Sequence, residues 1–294
     1  MPEKRKILIQ LDSDTHPSVF DRVAAIDAGA EELLSYGGVK PEAVQNLVFG
    51  AIFTRGPKDL KHTAVFIGGT SVAAGEKLLD EARKSFFGPL RVSLMIDANG
   101  ANTTAAAAVL AARKHHPLDG ALALVLGGTG PVGQRVALML ALEGAHVHVG
   151  SRQRDRAAAV CQAIADATTY SRLNPFATGK PDELLVALAG VQIVIAAGAP
   201  GAVLLPKVAR LACPTLQVAV DLNAVPPLGI EGVESTDAGI DRDGAKCYGA
   251  IGVGGTKMKI HKTCIAHLFE RNDLVLDARE IYEIGKGITA PVQS

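Results

Sequence analysis

The chain has 294 residues, enough for two domains with substantial cores, and its 30 basic residues are balanced by 30 acidic ones. That balance gives no electrostatic case for nucleic acid or an anionic membrane surface as a partner. The four cysteines are scattered without C-x-x-C spacing, which implies neither a zinc site nor a disulfide framework and fits a reducing, cytoplasmic setting.

Charged Met1–Lys6 leads into a run interrupted by Gln10, Asp12 and Asp14, so no signal peptide is expected. Lys6–Leu11 predicts a first strand, Asp12–Pro17 a turn, and Ser18 the N-cap of a helix reaching about Ala28. Val44–Thr54 and Thr63–Ile67 read as buried segments, the second closed by Gly68–Gly69. A helix over about Ala73–Ser85 and a strand over Arg91–Ile96 follow. The polar turn Asp97–Asn102 then opens an alanine-rich helix, capped by Thr103 or its neighbour and ending near His115–Pro117. From Ala121 strand and helix alternate, which calls for a parallel sheet with helices on both faces. Its strands are placed at Ala121–Leu126, Ala145–Gly150, Gln192–Ala197 and Gln217–Asp221, with another near Thr168–Leu173. Lys257–Glu270 and Ala278–Gly285 predict helices. The apolar stretch Val191–Leu205 is broken by Gly198, Pro200 and Gly201 and falls short of a membrane span. The expected fold class is α/β. Residues 105–264 form a Rossmann-type parallel-sheet domain, and residues 1–104 with about 265–294 form a second α/β domain.

The densest signal is Ala121–Gly133, ALALVLGGTGPVG. A buried strand runs into Gly128, Gly130 and Gly133, which match G-x-G-x-x-G, and Gln134–Glu143 continues with helical periodicity. In such a turn the first glycine permits the tight bend, the second lets backbone approach a pyrophosphate, and the third packs helix on strand. Gly128, Thr129, Gly130, Pro131, Val132 and Gly133 are therefore candidate cofactor contacts, with amides at the helix start facing the phosphates. An acidic residue about 20 positions on would hold the ribose hydroxyls of NAD. Here the next strand instead ends in Ser151 and Arg152. A hydroxyl and a guanidinium suit a 2′-phosphate, so NADP is the expected cofactor, with NAD as the alternative. Arg154 and Arg156 read as a solvated helix start.

In an open parallel sheet, ligands lie beyond the carboxyl ends of the strands. Ala197, Gly198 and Ala199, in a loop of little bulk, suit close approach of a nicotinamide ring, and Asn223 in the Asp221–Gly229 loop offers it an amide. Gly249–Lys259 reads as a third loop rich in backbone N–H groups. It is no phosphate-binding P-loop, because Gly255 stands where that motif needs lysine. His146 and His148 share one face of a strand with no third ligand near, so they read as structural and no metal is expected.

Asp97–Thr104 (DANGANTT), Gly127–Gly133 (GGTGPVG), Asp221–Gly229 (DLNAVPPLG) and Gly252–His261 (GVGGTKMKIH) together resemble the NAD(P)-dependent methylene-tetrahydromethanopterin dehydrogenases of methylotrophic bacteria. Thr15–Asp21, Thr54–Gly56 and Phe86–Pro89 fit the same pattern, and the similarity runs from about Ile7 to Tyr282. The resemblance implies hydride transfer from a methylene group bridging two nitrogens of a reduced pterin to C4 of the nicotinamide. The product is the methenyl cation, formed in one-carbon oxidation from formaldehyde. It implies a homo-oligomer and makes Lys257 the residue that orients the substrate, with His16, Ser18, Asp21, Asp97, Asn99 and Asn102 as further pterin contacts.

Because the bridging nitrogens delocalise the positive charge, no proton leaves the reacting carbon. Placement of the two rings and exclusion of water then carry catalysis. Tetrahydrofolate shares the reacting centre, so a methylene-tetrahydrofolate dehydrogenase is one alternative. A shikimate- or amino-acid-type dehydrogenase is a second, and an inactive NADP-binding sensor a third. The second needs a general acid or base, because an O–H or N–H proton moves with the hydride. The pterin reading predicts a kcat that is flat across neutral pH in steady-state assays; one steep titration there would favour the shikimate-type chemistry.

Overall fold

A computed structural model describes residues 4–168, 170 and 172–289, and among them the chain divides into two compact α/β units. One holds the residues up to Thr103 and those from Met258, and the other holds Thr104–Lys257.

The first unit contains β1 (Ile7–Asp12), α1 (Val19–Asp27), β2 (Glu32–Tyr36), α2 (Pro41–Ile52), β3 (Thr63–Gly68), α3 (Val72–Lys84), β4 (Ser93–Ile96) and the start of α4 (Ala101–Arg113). Ser18 caps α1 by accepting the Asp21 amide at 3.2 Å, as its position in the sequence predicts. The segment 44–54, read only as buried, lies mostly in α2. Pro41 starts the helix, and Val44, Val48, Ala51 and Ile52 recur at helical spacing on its buried face.

The second unit contains β5 (Leu122–Leu126), α5 (Pro131–Leu142), β6 (His146–Ser151), α6 (Arg154–Thr168), β7 (Leu173–Ala177), α7 (Pro181–Leu188), β8 (Ile193–Ala196), α8 (Lys207–Leu211), β9 (Val218–Asp221), β10 (Ala238–Arg242), β11 (Ala245–Tyr248) and the start of α9 (Ala250–His267). The chain then adds β12 (Val275–Leu276) and α10 (Ala278–Thr289) to the first unit. The unit boundaries fall inside α4 and α9, the latter at Met258 where the sequence suggested about 265.

Among the described residues the first sheet runs β12-β4-β3-β1-β2, all parallel. The second runs β10-β11-β9-β8-β5-β6-β7, parallel except for the β10–β11 hairpin. Register aligns Asp12 with Gly68, and Ile67 with Ile96, so the carboxyl ends of β1, β3 and β4 share one edge. In the second sheet Leu126 pairs with Ala196, which pairs with Asp221, giving a corresponding edge. Leu124, Leu126, Val194 and Ala219 pack there against Leu184 and Leu188 of α7. No described helix is long and apolar enough to cross a membrane.

Two sequence expectations are corrected. The strand placed near Thr168–Leu173 is β7 at Leu173–Ala177. Helix α6 continues to Thr168, whose hydroxyl donates to the Ile164 carbonyl at 2.7 Å, while Thr169 and Ser171 lie outside the described residues. Gly249–Lys259 is not a loop either, because α9 begins at Ala250. The Gly249 amide donates to Asp237 O at 2.9 Å and the Ile251 amide to Ser235 O at 2.8 Å, so these N–H groups are spent inside the unit. The glycines allow this contact: a Cβ on Gly252 would lie 1.7 Å from Asp237 O.

Gly252→Ala is therefore expected to cost about 3 kcal/mol or more, lowering Tm by several degrees. Gly255→Ala, with open space around its Cβ position, should stabilise α9 by up to about 1 kcal/mol. Thermal unfolding of both variants checks this; equal effects would contradict the packing role of Gly252.

Candidate functional site

The second sheet changes direction of winding at β5, which has β6 on one side and β8 on the other. Ligand crevices form at such a switch point. Gly127 bends the chain at φ +70°, and a Cβ there would come within 2.5 Å of Gly198 Cα. Gly128 donates its amide to Gly150 O at 2.9 Å, and a Cβ on it would press Val149 at 2.7 Å. A Cβ on Gly133 would meet Gly127 O at 2.4 Å. These three glycines serve backbone packing. Gly130 differs: its φ of −77° suits any residue, and the nearest atom to an added Cβ is 3.4 Å away.

Gly130 caps α5 and Pro131 occupies its first position. The Gln134 amide makes the helical bond to Gly130 O at 2.9 Å, so the Val132 and Gly133 amides precede the ladder. Ser151 ends β6 almost buried, its hydroxyl accepting the Gln153 amide at 3.3 Å, and Arg152 beside it is exposed. Arg154 and Arg156, also exposed, open α6. Asp155 stands between them in the same turn and supplies the acidic residue that suits a helix N-terminus.

The smallness of the Ala197–Gly201 loop has a packing cause as well, since a Cβ on Gly198 would strike Leu204 at 2.5 Å. Ala197 remains partly accessible and Ala199 is exposed. Asn223 is buried and its amide is engaged internally: Nδ2 donates to Pro227 O at 3.1 Å and Oδ1 accepts the Val225 amide at 3.0 Å. Asp221 organises this loop by accepting the amides of Asn223 at 3.0 Å and Ile230 at 2.9 Å. Burial pushes its carboxyl above the usual carboxylate range, and those amides pull it part of the way back. Lys257 lies on α9, half-buried. His148, half-buried, bonds through Nδ1 to Ala187 O at 2.8 Å and packs against the tilted ring of Phe176 at 4.2 Å between centroids. Among the described residues no group of His, Cys, Asp or Glu is placed to hold a metal ion.

In the first unit the carboxyl edge is lined with acidic residues. Asp12 accepts the amides of Asp14 at 2.8 Å and Ser18 at 3.1 Å, and Asp14 grips the amide and hydroxyl of Thr70 at 2.9 and 3.0 Å. His16 sits exposed in the loop they shape. Asp97 is 2% exposed. It accepts the Asn102 and Thr103 amides at 3.0 and 3.1 Å and the Thr103 hydroxyl at 2.7 Å, so it, not Thr103, supplies the capping acceptor of α4. Asn102 is buried too, donating to Ile96 O at 2.7 Å and to Asp277 Oδ1 at 3.1 Å. Asn99 stays exposed in a left-handed conformation at φ 54°. Asp21, partly exposed, lies beside the end of β3, with Oδ2 3.4 Å from the Cβ position of Gly68.

The structure adds His261, which the sequence reading quoted only inside a motif. Its Nδ1 is 3.0 Å from Asp97 Oδ2 and its Nε2 is 4.0 Å from Asp21 Oδ1. The signal was available, because position 261 falls on the buried face of α9 with Ile260, Cys264 and Ile265.

Comparison with known proteins places these features in context. Residues 19–99 match the family described as Methylene-tetrahydromethanopterin dehydrogenase, N-terminal. Over 287 residues the chain is 45% identical to the Bifunctional protein MdtA of Methylorubrum extorquens, covering 96% of this chain and 98% of that protein. The NAD(P)-dependent methylenetetrahydromethanopterin dehydrogenase of the same organism is 32% identical over 295 residues, covering 95% and 97%. A solved shikimate 5-dehydrogenase from Mycobacterium fortuitum has a TM-score of 0.53 at 12% identity, covering 97% of this chain and 99% of that one, a likeness of fold alone.

Asp221→Ala should destabilise the protein by about 2–4 kcal/mol in urea unfolding, since it leaves buried loop amides without acceptors. A loss under about 0.5 kcal/mol would show that the loop holds itself without the carboxylate.

Proposed function

The chain belongs to the methylene-tetrahydromethanopterin dehydrogenase family, and from that premise we propose that it oxidises the methylene group of a reduced pterin of the tetrahydromethanopterin type. It is an NAD(P)-dependent oxidoreductase. The observation that carries the reading is 45% identity spread over 96% of the chain.

The residues present fit a dinucleotide. No protein contact requires Gly130 to be glycine, whereas a pyrophosphate lying across the start of α5 would. The Val132 and Gly133 amides then hold the pyrophosphate. Ser151 and Arg152 hold the 2′-phosphate of NADP by charge-assisted hydrogen bonds. Ala197 and Ala199 border the flat nicotinamide, whose chemistry when bound is to accept the hydride from the methylene carbon. Asn223 supports this wall through its loop, since its amide is engaged internally.

On the pterin side, Asp21 is the carboxylate best placed to accept from the ring's N–H and amino donors. His16 and Asn99 offer further exposed polar groups. Lys257 orients the substrate as a hydrogen-bond donor; its charge does not stabilise the product, because a cation would oppose the positive charge that develops there. Ser18, Asp97 and Asn102 act indirectly, by fixing α1 and α4. A homo-oligomer belongs to the proposal, supported by Val19, Val23 and Ile26, which α1 leaves exposed along one face.

Initial rates with methylene-tetrahydromethanopterin and methylene-tetrahydrofolate, each offered NADP and NAD, test the reading. The fastest turnover is expected with the methanopterin substrate and NADP, and no turnover in any combination would overturn it. Arg152→Ala should raise the KM for NADP by about 1.5–3 kcal/mol, roughly ten- to more than a hundredfold, and leave NAD little changed. Equal effects on both would remove the 2′-phosphate assignment. Lys257→Ala should impair pterin use with NADP binding retained; an unaltered pterin KM and kcat would return that lysine to a surface role.

A further inference from the structure

Thr178 follows β7 directly, at the carboxyl edge of the second sheet and one strand beyond Ser151 and Arg152. Parallel register pairs Gly150 with Phe176 and Ser151 with Ala177. Continued by one residue, it sets Arg152 beside Thr178, and the ladder does continue, since the Thr178 amide donates to Ser151 O at 2.8 Å. Residues aligned in this way share one face of a sheet. Two glycines fit the turn to the arrangement. A Cβ on Gly150 would lie 3.1 Å from Thr178 Cγ2 and 3.4 Å from its Oγ1, so glycine there leaves the threonine seated over the end of β6. Gly179 follows, with its Cβ position 3.6 Å from Arg152 Cα, and lays the turn along the backbone of Arg152.

The two branches of the Thr178 side chain differ in what they do. Its methyl packs on Gly150, a contact that valine would make equally well. The residue is half-buried, and among the described residues its hydroxyl has no hydrogen-bond partner. Ser151 accepts the Gln153 amide on its hydroxyl oxygen at 3.3 Å, which leaves its own proton to donate. Arg152 is exposed, and a guanidinium carries five donors and no acceptor. Donors from three residues thus gather at two adjacent strand ends, and residues 150–152 and 177–180 include no carboxylate to accept from them. A phosphate dianion, with several acceptor oxygens, answers such a set better than a ribose hydroxyl does.

We propose that Thr178 is a specificity-determining residue, its hydroxyl donating to the 2′-phosphate of NADP from the β7 side while Ser151 and Arg152 donate from the β6 side. The inference rests on the reading that Ser151 and Arg152 hold that phosphate. NAD carries a hydroxyl in place of the phosphate, so the threonine donor raises affinity for NADP and matters little for NAD. The turn after β7 reaches Arg152 only through strand pairing, which the order of residues along the chain does not display.

Two substitutions separate the branches. Thr178→Val keeps the methyl and removes the hydroxyl; Thr178→Ser does the reverse. Titration calorimetry of the purified chain gives the Kd of NADP and of NAD for each, with Tm measured alongside. Thr178→Val should keep the parent's Tm within a few degrees. It should raise the Kd of NADP about tenfold or more and change that of NAD less than about twofold. Thr178→Ser should bind NADP nearly as the parent does, even where loss of the methyl lowers its Tm. If Thr178→Val has the parent's Kd for NADP, or weakens NADP and NAD alike, the hydroxyl does not read the phosphate and the inference falls. Arg152→Ala is titrated in the same way. Should it weaken NADP and NAD equally, the 2′-phosphate assignment fails and takes this inference with it. Should it weaken NADP selectively while Thr178→Val does not, the inference alone fails.

Discussion

Backbone packed directly on backbone at the carboxyl edge of the seven-stranded sheet is the constraint on which the cofactor half depends. Gly127 lies so close to Gly198 that a methyl group on Gly127 would break the contact, and Gly133 brings α5 equally close to the turn before it. Side chains of any size would lift α5 off β5 and separate the β5 and β8 loops. The amides of Val132 and Gly133 stand at this edge ahead of the α5 hydrogen-bond ladder. The same economy appears one strand further, where Asp221 gathers the amides of the 223–230 loop and keeps it low against the edge.

The five-stranded sheet solves a related problem with carboxylates. Asp12, Asp14 and Asp97 each end or follow a strand, and each satisfies loop or helix amides that would otherwise be orphaned. Their charges are therefore spent on architecture. This suits a reaction in which no proton leaves the reacting carbon: polar groups that hold position are needed, and groups that exchange protons are not. On that account catalysis comes from placement of the two rings.

Legibility in the sequence divides along physical lines. Glycine spacing after an apolar run reports backbone geometry directly, so the β5–α5 turn was readable, as was the Ser18 cap. Residue type alone cannot tell a ligand contact from a cap, because both need the same short acceptors; Asp97, Asn102 and Asn223 were ambiguous for that reason and prove to be engaged internally. The glycines of 249–255 suggested a loop, but they permit a helix start to lie against residues 234–238, a contact visible only in three dimensions. The β10–β11 hairpin was not anticipated, although Asp243 and Gly244, both at positive φ, form a turn of a type that favours such residues. A lone histidine on the apolar face of α9 was readable as unusual, but its two acidic partners come from positions 21 and 97, far away in sequence.

The central claim is direct transfer of hydride from the substrate methylene carbon, with no proton relay in the protein. A methylene-pterin carrying two deuterons on that carbon tests it most directly, by analysis of the reduced nicotinamide and the methenyl product after a single turnover. One deuteron at C4 of the nicotinamide and one retained on the methenyl carbon is the predicted result. Hydrogen from solvent water at C4 would contradict the account.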